Sequence, residues 1–584
     1  MLIPMHKRIC LYLLSLVALA CGQALAAEPR YDFRIVIDVS GSMKQTDPQN
    51  LRVPALKLIN GLIPTGSRAG VWTFGRYVDM AVKWGTVDDA WRKRADLGAD
   101  KIHSNALLTN IESALARASV GWDKPDAKTS RILLLLTDGK VDISSDPAKN
   151  AKSRDRLLSK GLAQYRSSGA QIHTIALSDG TDEVLLKQLA LETGGSFAVA
   201  QNADQLQKVF FKMFERASEP DTVALKGKEF SIDTSIKEMT LLIFRSPGSQ
   251  PTILIPPDSP AISLQKTRGA RWRSGQGYDL ITVKKPAAGT WRIDAVLDPD
   301  NRLMVVTDLK LQVSGIPAYS TPREAFRIAA ELYDRGKKIR KNSFQRFVDF
   351  DLAHIDVDGN ESRQALVHTS EREDKGQYLF QMEQTLAEGM HSFVVSADTR
   401  IFNRSKRFDM QVQWPVEVKI EPQQAAGVYE LKLRAREEYL MPDGLVADVD
   451  IEAPDGSRDS LALEDSAGWL RTLVETSQDG LYHAHIKISA QSHAAEIVDV
   501  DLGRFSMLGV YRAAAEVEPE STATPNKEVT EQDSKAGKTN WKLVGIVIVA
   551  VNLTLLLILV SGWWFLKRKR EAGELEIEDE EFSA

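Results

Sequence analysis

One apolar run, ending in three evenly spaced oxygen-bearing side chains, constrains this chain more than any other feature. Phe33-Arg-Ile-Val-Ile-Asp38-Val-Ser40-Gly41-Ser42-Met43 feeds β-branched and apolar residues straight into Asp38, Ser40 and Ser42, at i, i+2 and i+4. A buried parallel strand that ends in a turn presents all three at its carboxyl end, where open α/β sheets bind ligands. One carboxylate and two hydroxyls are hard ligands, suited to Mg²⁺ or Mn²⁺ and poor for soft metals. Taken alone, the same spacing also reads as turn chemistry or a helix cap.

Two later segments carry further oxygen-bearing side chains. Asp138 follows the apolar strand Ile132-Leu-Leu-Leu-Leu136 in Thr137-Asp138-Gly139, again at a carboxyl end. Thr109 opens Thr109-Asn-Ile-Glu-Ser-Ala-Leu115, which reads as a helix start capped by Thr109 with Glu112 three positions on. The Asp-x-Ser-x-Ser spacing resembles the metal-ion-dependent adhesion site of von Willebrand factor A domains, whose site draws a Thr from a second loop and an Asp from a third. The resemblance implies a metal site made of Asp38, Ser40, Ser42, Thr109 and Asp138, holding Mg²⁺ (or Mn²⁺ or Ca²⁺). It also implies neutral hydroxyl ligands, aspartates that often act through water, and an open position that an acidic residue of a protein partner fills. The family's usual Gly-Gly before the Thr is replaced by Leu107-Leu108, which predicts an unusual loop shape.

Around this site the chain divides by texture. From Tyr31 to about Ala217 strand and helix signals alternate: strands at Ala69–Phe74, Val78–Trp84 (an antiparallel edge) and Gln171–Ala176, helices at Asp182–Thr193 and Asp204–Ala217. That alternation predicts a doubly wound, Rossmann-like α/β domain over residues 27–220. After Pro220 the runs are short and alternate with period two, as in Thr240–Phe244, Phe393–Ser396 and His485–Ser489. Gly289-Thr-Trp291, Gly376-Gln-Tyr378, Gly427-Val-Tyr429 and Gly480-Leu-Tyr482 each open such a run. Their spacing suggests three all-β sandwiches at 221–316, 317–417 and 418–512, the last two immunoglobulin-like. Phe326–Tyr333 has period two and precedes the turn Asp334-Arg-Gly336, so it is expected as a strand and not a helix.

The two ends read as targeting. Residues 1–26 carry His6-Lys7-Arg8, an apolar stretch and Ala24-Leu25-Ala26, the pattern of a signal peptide. Both cysteines, Cys10 and Cys21, lie there, leaving the mature chain without thiols or disulfides. Leu543 to Leu566 is apolar apart from Asn552, Thr554 and Ser561. It makes about 36 Å of helix against a ~30 Å hydrocarbon core. Trp541, Trp563 and Trp564 flank it and Lys567-Arg-Lys-Arg570 follows, so residues 541–566 are expected as a single-pass transmembrane helix. Residues 513–540 read as a flexible stalk and 567–584 as a short cytoplasmic tail, which places the ectodomain outside the inner membrane, in the periplasm. In layout, and at Gly41–Pro48 and Gly70–Gly75, the chain is similar to a group of exported bacterial A-domain proteins with a C-terminal anchor.

Other motifs are weaker. Asp356-Val-Asp358-Gly359-Asn360 lacks the acids a calcium loop needs at His354 and Ala365 and reads as a turn. Asp142 is a carboxylate close enough in sequence to tune Asp138. No nucleophile elbow, phosphate loop or zinc-protease motif occurs, and the net charge of −5 offers nothing to a nucleic acid. The expectation is a non-enzymatic, membrane-anchored protein that binds a partner bearing an exposed Asp or Glu. The alternative is a structural envelope spacer with an inert A-domain cap.

Overall fold

Strand β1 (Arg30–Asp38) runs down the middle of a six-stranded sheet because both its faces are apolar. Phe33, Ile35 and Ile37 point into one core and Val36 into the other. The computed structural model describes residues 30–509, apart from 179, 247, 369–375, 426 and 494. Strands β2 (Arg68–Phe74), β3 (Val78–Thr86), β4 (Thr129–Thr137), β5 (Ala170–Ala176) and β6 (Phe197–Val199) complete the sheet in the order β3-β2-β1-β4-β5-β6. All neighbours are parallel except the edge strand β3. Strand β4 repeats the logic of β1: Ile132, Leu134 and Leu136 enter one core, Leu133 and Leu135 the other.

Helices cover both faces. The segments α1 (Arg52–Leu62), α2 (Asp89–Ala99) and α6 (Ala203–Ser218) pack on the Phe33 side. The segments α3 (Ile111–Ala118), α4 (Pro147–Arg156, continued through a π turn to Ser167) and α5 (Glu183–Leu191) pack on the other. The chain leaves β1 toward one face and β4 toward the other, so the adjacent carboxyl ends of β1 and β4 form the topological switch point.

Three β-sandwiches follow. In each, two sheets close over one core, centred on Trp291, Phe393 and Ile486 respectively. Their limits differ from the sequence expectation. Strand Leu309–Ser314 pairs with Phe326–Asp334 of the second sandwich, so the first ends at Thr307 and not at 316. The third opens with Val416–Pro422, two residues before its expected start. The first two sandwiches are also not separate, because β7 (Thr222–Val223) joins strand Arg302–Thr307 of the first to Asn403–Val412 of the second in one continuous sheet. A two-residue strand leaves no periodicity to read, which is why the sequence hides this junction. Phe326–Asp334 is a strand that turns back into Lys337–Lys338, and Asp356 accepts backbone N–H bonds from Asp358 and Asn360 in a simple turn.

The sandwiches are internal repeats, and the repeated element is sharper than the sequence motif. Gly289, Gly389 and Gly480 each open a strand with φ of 132°, 136° and 135°. A Cβ on each would press on Pro257, Val357 and Pro454 in the facing turn. Two residues on, a buried ring bonds back to the preceding loop: Trp291 Nε1 to Ala287 O, His391 Nε2 to Ala387 O, and Tyr482 Oη to the N–H groups of Ser477 and Gln478. The second copy is therefore Gly389-Met-His391, not Gly376-Gln-Tyr378; a histidine stands where the others carry Trp and Tyr. Gly480→Ala combines a positive φ with a Cβ 2.8 Å from Pro454 Cγ. It is expected to lower stability by about 1–3 kcal/mol, measured as the shift of the calorimetric transition; an unshifted transition would remove the constraint argued for this turn.

Among the described residues no helix is long and apolar enough to cross a membrane. The expected signal peptide, stalk, transmembrane helix and tail (1–26 and 513–584) lie outside the described residues.

Candidate metal centre

The switch point gathers the residues singled out from the sequence. Asp38 ends β1, Asp138 follows β4, and both are buried. One oxygen of Asp38 accepts the Ser40 N–H at 2.8 Å and the other the Thr137 hydroxyl at 2.6 Å. Ser40 is held by a backbone bridge to Ala106, whose N–H reaches Val39 O at 2.9 Å. Its Oγ stands 3.0 Å from Ser42 Oγ, and Ser42 in turn donates to Asp138 Oδ1 at 2.9 Å. Asp38, Ser40, Ser42 and Asp138 thus sit in one connected patch, with Ser42 exposed at its mouth.

Thr109 reaches the patch by a different route from the one expected. It is not the helix cap: Asn110 is, accepting the Ser113 N–H at 3.0 Å. Glu112 does not reach back to close a capping box and instead binds Arg156 and Ser153. Thr109 exchanges both backbone hydrogen bonds with Asp142, at 2.7 and 3.0 Å. That bridge sets Thr109 Oγ1 against Gly139, 3.5 Å from where a Cβ would stand. Asp142 therefore acts through its backbone, and its carboxylate turns to Asn150 Nδ2. The Leu107-Leu108 substitution does shape the loop: Leu108 takes φ +64°, a left-handed conformation costing a non-glycine residue about 1–2 kcal/mol.

Three supporting residues were not singled out from the sequence. Thr137 orients Asp38, and Thr46 donates to Asp138 Oδ2 at 2.6 Å. Arg52, fully buried, spends its guanidinium on Asp38 O (2.7 Å), Asp47 (2.7 Å), Asn50 (2.8 Å) and Ser104 (2.6 Å). The pairing of Thr-Asp at the end of β4 was a visible signal for Thr137; nothing local marks Arg52.

The electrostatics follow from this wiring. Neither Asp38 nor Asp138 forms an ion pair among the described residues, since Arg52 is engaged elsewhere. Burial pushes the Asp38 carboxyl up to about 6, with Asp138 adding to the rise and hydrogen bonds from Thr137 and Ser40 opposing it. Arg52 carries a positive charge that acts on both carboxylates, but its ion pair is with Asp47. Two neighbouring carboxylates without an ion-pair partner, ringed by hydroxyls, suit a hard divalent cation. Among the described residues no three His, Cys, Asp or Glu side chains converge as a metal cluster, so this oxygen set rests on hydroxyls as much as on acids. Beside it runs a cleft of about 480 Å³ lined by Val39, Arg76, Tyr77, Lys101 and Leu107. Tyr77 and Leu107 are 74% and 70% exposed there, which puts apolar surface at the rim of the site.

Comparison with known proteins follows the same lines. The model of the von Willebrand factor type A domain matches residues 32–212. No curated protein matches the chain. Among solved structures, a von Willebrand factor type A protein from Catenulispora acidiphila is 15% identical with a TM-score of 0.28, over 53% of this chain and 64% of that one. The chain thus spans less than two thirds of that relative. The conserved hypothetical protein BatB from Bacteroides thetaiotaomicron is 15% identical, TM-score 0.24, over 32% of this chain and 99% of that one. Proximal thread matrix protein 1 from the mussel byssus, in a form described as having a zinc-occupied MIDAS motif, is 14% identical, TM-score 0.25, over 36% of this chain and 50% of that one. From the sheet order, the oxygen-lined switch point and the family match, residues 32–212 of this chain are a von Willebrand factor type A domain.

Proposed function

We propose that this protein binds a protein partner in a divalent-cation-dependent manner. Asp38, Ser40, Ser42, Thr109 and Asp138 hold the cation, Mg²⁺ foremost, and an Asp or Glu of the partner completes its shell. The observation that carries this reading is the pair Asp38 and Asp138, neither held in an ion pair among the described residues, surrounded by hydroxyls at a solvent-facing switch point. When bound, a divalent cation supplies a Lewis-acidic position for an incoming carboxylate. Asp38 and Asp138 supply the negative charge, and the hydroxyls of Ser40, Ser42 and Thr109 add oxygens without adding charge. Leu107 and Tyr77 offer the partner apolar contact next to that position. The reading is of binding, not catalysis.

In the same proposal, residues 1–26 direct export and the immunoglobulin-like sandwiches, continued by the 513–540 stalk, hold the A domain away from the membrane. Residues 541–566 anchor the chain once in the inner membrane with the ectodomain in the periplasm.

The test uses immobilised full-length protein and an envelope extract, with Mg²⁺ or with chelator, and Ser40→Ala beside wild type. The expected result is a protein retained by wild type in Mg²⁺, released by chelator and missed by Ser40→Ala. Identical retention in every arm would overturn the proposal and leave the A domain an inert cap on a spacer.

A further inference from the structure

A second polar cavity, of about 470 Å³, lies at the opposite end of the sheet, between the A domain and the second sandwich. The amino ends of β1, β4 and β5 form one wall with the C-terminus of α6. Strands Leu309–Ser314, Phe326–Asp334 and Asn403–Val412 of the sandwich form the other. Its lining is strongly polar, and two of its side chains have unmet bonding capacity.

The first is His173 on β5, 1% exposed. Its Nδ1 accepts the Ser196 N–H at 3.2 Å, with Ser196 Oγ at 2.8 Å. Burial, reinforced by the charge of Arg216, pushes this imidazole down to about 3, so the ring is neutral. A neutral ring that accepts at Nδ1 carries its proton on Nε2. That Nε2–H is buried and has no hydrogen-bond partner.

The second is Arg216, on the last turn of α6. It makes one hydrogen bond, to Ile316 O at 3.2 Å, and lies over the Phe408 ring, but forms no ion pair among the described residues. Burial disfavours its charged form. The other charges of the cavity are already matched: Lys406 with Glu219, and Glu331 with Lys338. What remains is one desolvated guanidinium and one buried N–H donor, close enough for the arginine charge to act on the imidazole. Glu219 and Asp409 act on Arg216 from a distance without outweighing its burial, and a half-buried cation with no ion pair, like a buried donor without an acceptor, is unfavourable. The amides of Gln171 and Gln312 on the rim add donors and acceptors for hydroxyl groups.

We propose that this cavity binds a small polar molecule carrying one carboxylate or phosphate group, with Arg216 as its counter-ion beside the neutral His173 ring. The volume is that of a small-molecule site. Because its walls come from the A domain and the second sandwich, the ligand ties the two together at a point far from the metal centre. The site owes nothing to Asp38 or Asp138, so it stands or falls independently of the cation-dependent reading.

The test is calorimetric titration of the full-length protein with inorganic phosphate and, separately, with glucuronate, using chloride as the ionic-strength control. Saturable binding of either probe is expected, and which one binds assigns the oxyanion as phosphate or carboxylate. Arg216→Met should weaken that binding on the order of tenfold to a hundredfold, as expected for loss of a charged hydrogen-bond partner. Ser314→Phe, on the exposed edge of the cavity, fills the space while keeping the arginine and should abolish binding, even where Arg216→Met does not fold. Absence of saturable heat with both probes overturns the proposal. So does binding that Ser314→Phe leaves unchanged.

Discussion

Asp38→Asn is expected to stabilise the metal-free protein by roughly 2–3 kcal/mol at about pH 7.5, although it removes a residue of the metal centre. Asp38 is fully buried, and burial lifts its carboxyl from 3.8 to about 6. Between those two values the folded protein binds more protons than the unfolded chain, so the Asp38 contribution to stability falls as pH rises through that window. The penalty is complete above about 6 and absent below about 4. Asparagine keeps the shape without the charge: its oxygen can accept the Ser40 N–H while the Thr137 hydroxyl turns to accept from its amide. The advantage of Asp38→Asn should therefore shrink toward zero as the pH is lowered to about 4. Mg²⁺ should close that gap at neutral pH, stabilising wild type by about 2.7 kcal/mol at a hundredfold excess over its dissociation constant, and invert the order at about a thousandfold excess, where the gain is about 4.1 kcal/mol, while leaving Asp38→Asn unmoved. The measurement is urea unfolding of both proteins at the two pH values, with and without Mg²⁺. An Asp38→Asn protein that is less stable than metal-free wild type at both pH values would mean that this carboxylate is a structural group and not one awaiting a cation.

The same residue shows how much of the centre could be read from the chain. Asp38 and Asp138 were legible because each ends an apolar run too long to be anything but a strand buried on both faces, and a carboxylate in that position has no packing role. Ser40 and Ser42 were legible by spacing. Thr109 was placed through family resemblance, and its local role was misread. Thr109 and Asn110 are both good capping residues. What chooses between them is the backbone bridge from Thr109 to Asp142, a contact that no local pattern announces. The alternation of β1, β2, β4 and β5 with helices was clear, because each element is long enough to show its period. The repeat in the sandwiches was half visible. Gly289, Trp291, Gly480 and Tyr482 announced it, but the second copy carries His391 in place of a larger aromatic ring and was passed over for Tyr378. The shared sheet was invisible, since the strand that joins the two halves is only Thr222–Val223.

Arg52 is the clearest case of a residue legible only in three dimensions, and its loss should be the most damaging single change near the site. In sequence it is one charged residue at the start of a helix, which ordinarily faces solvent. In the fold it is wholly buried, and it ties the carbonyl of Asp38 to Asp47, Asn50 and Ser104. Arg52→Met keeps most of the volume but strands Asp47, which is 4% exposed, without its cation. Removing one partner of a buried pair typically costs 3–5 kcal/mol, whereas replacing both can be nearly neutral. Arg52→Met is therefore expected to destabilise the protein by about 3–5 kcal/mol in urea unfolding. The double change Arg52→Met with Asp47→Asn should recover on the order of 1–3 kcal/mol of that loss. Asp47 also accepts the N–H groups of Leu51 and Arg52 at the start of α1, one on each oxygen, and asparagine keeps the shorter of the two bonds, that from Leu51, through its single amide oxygen. Mg²⁺ affinity should stay low in the double variant even as stability returns, because Asp38 O is still without its guanidinium anchor. Stability and affinity recovering together would show that Arg52 serves only the fold; stability recovering alone would show that the arginine also fixes the end of β1 for the metal centre.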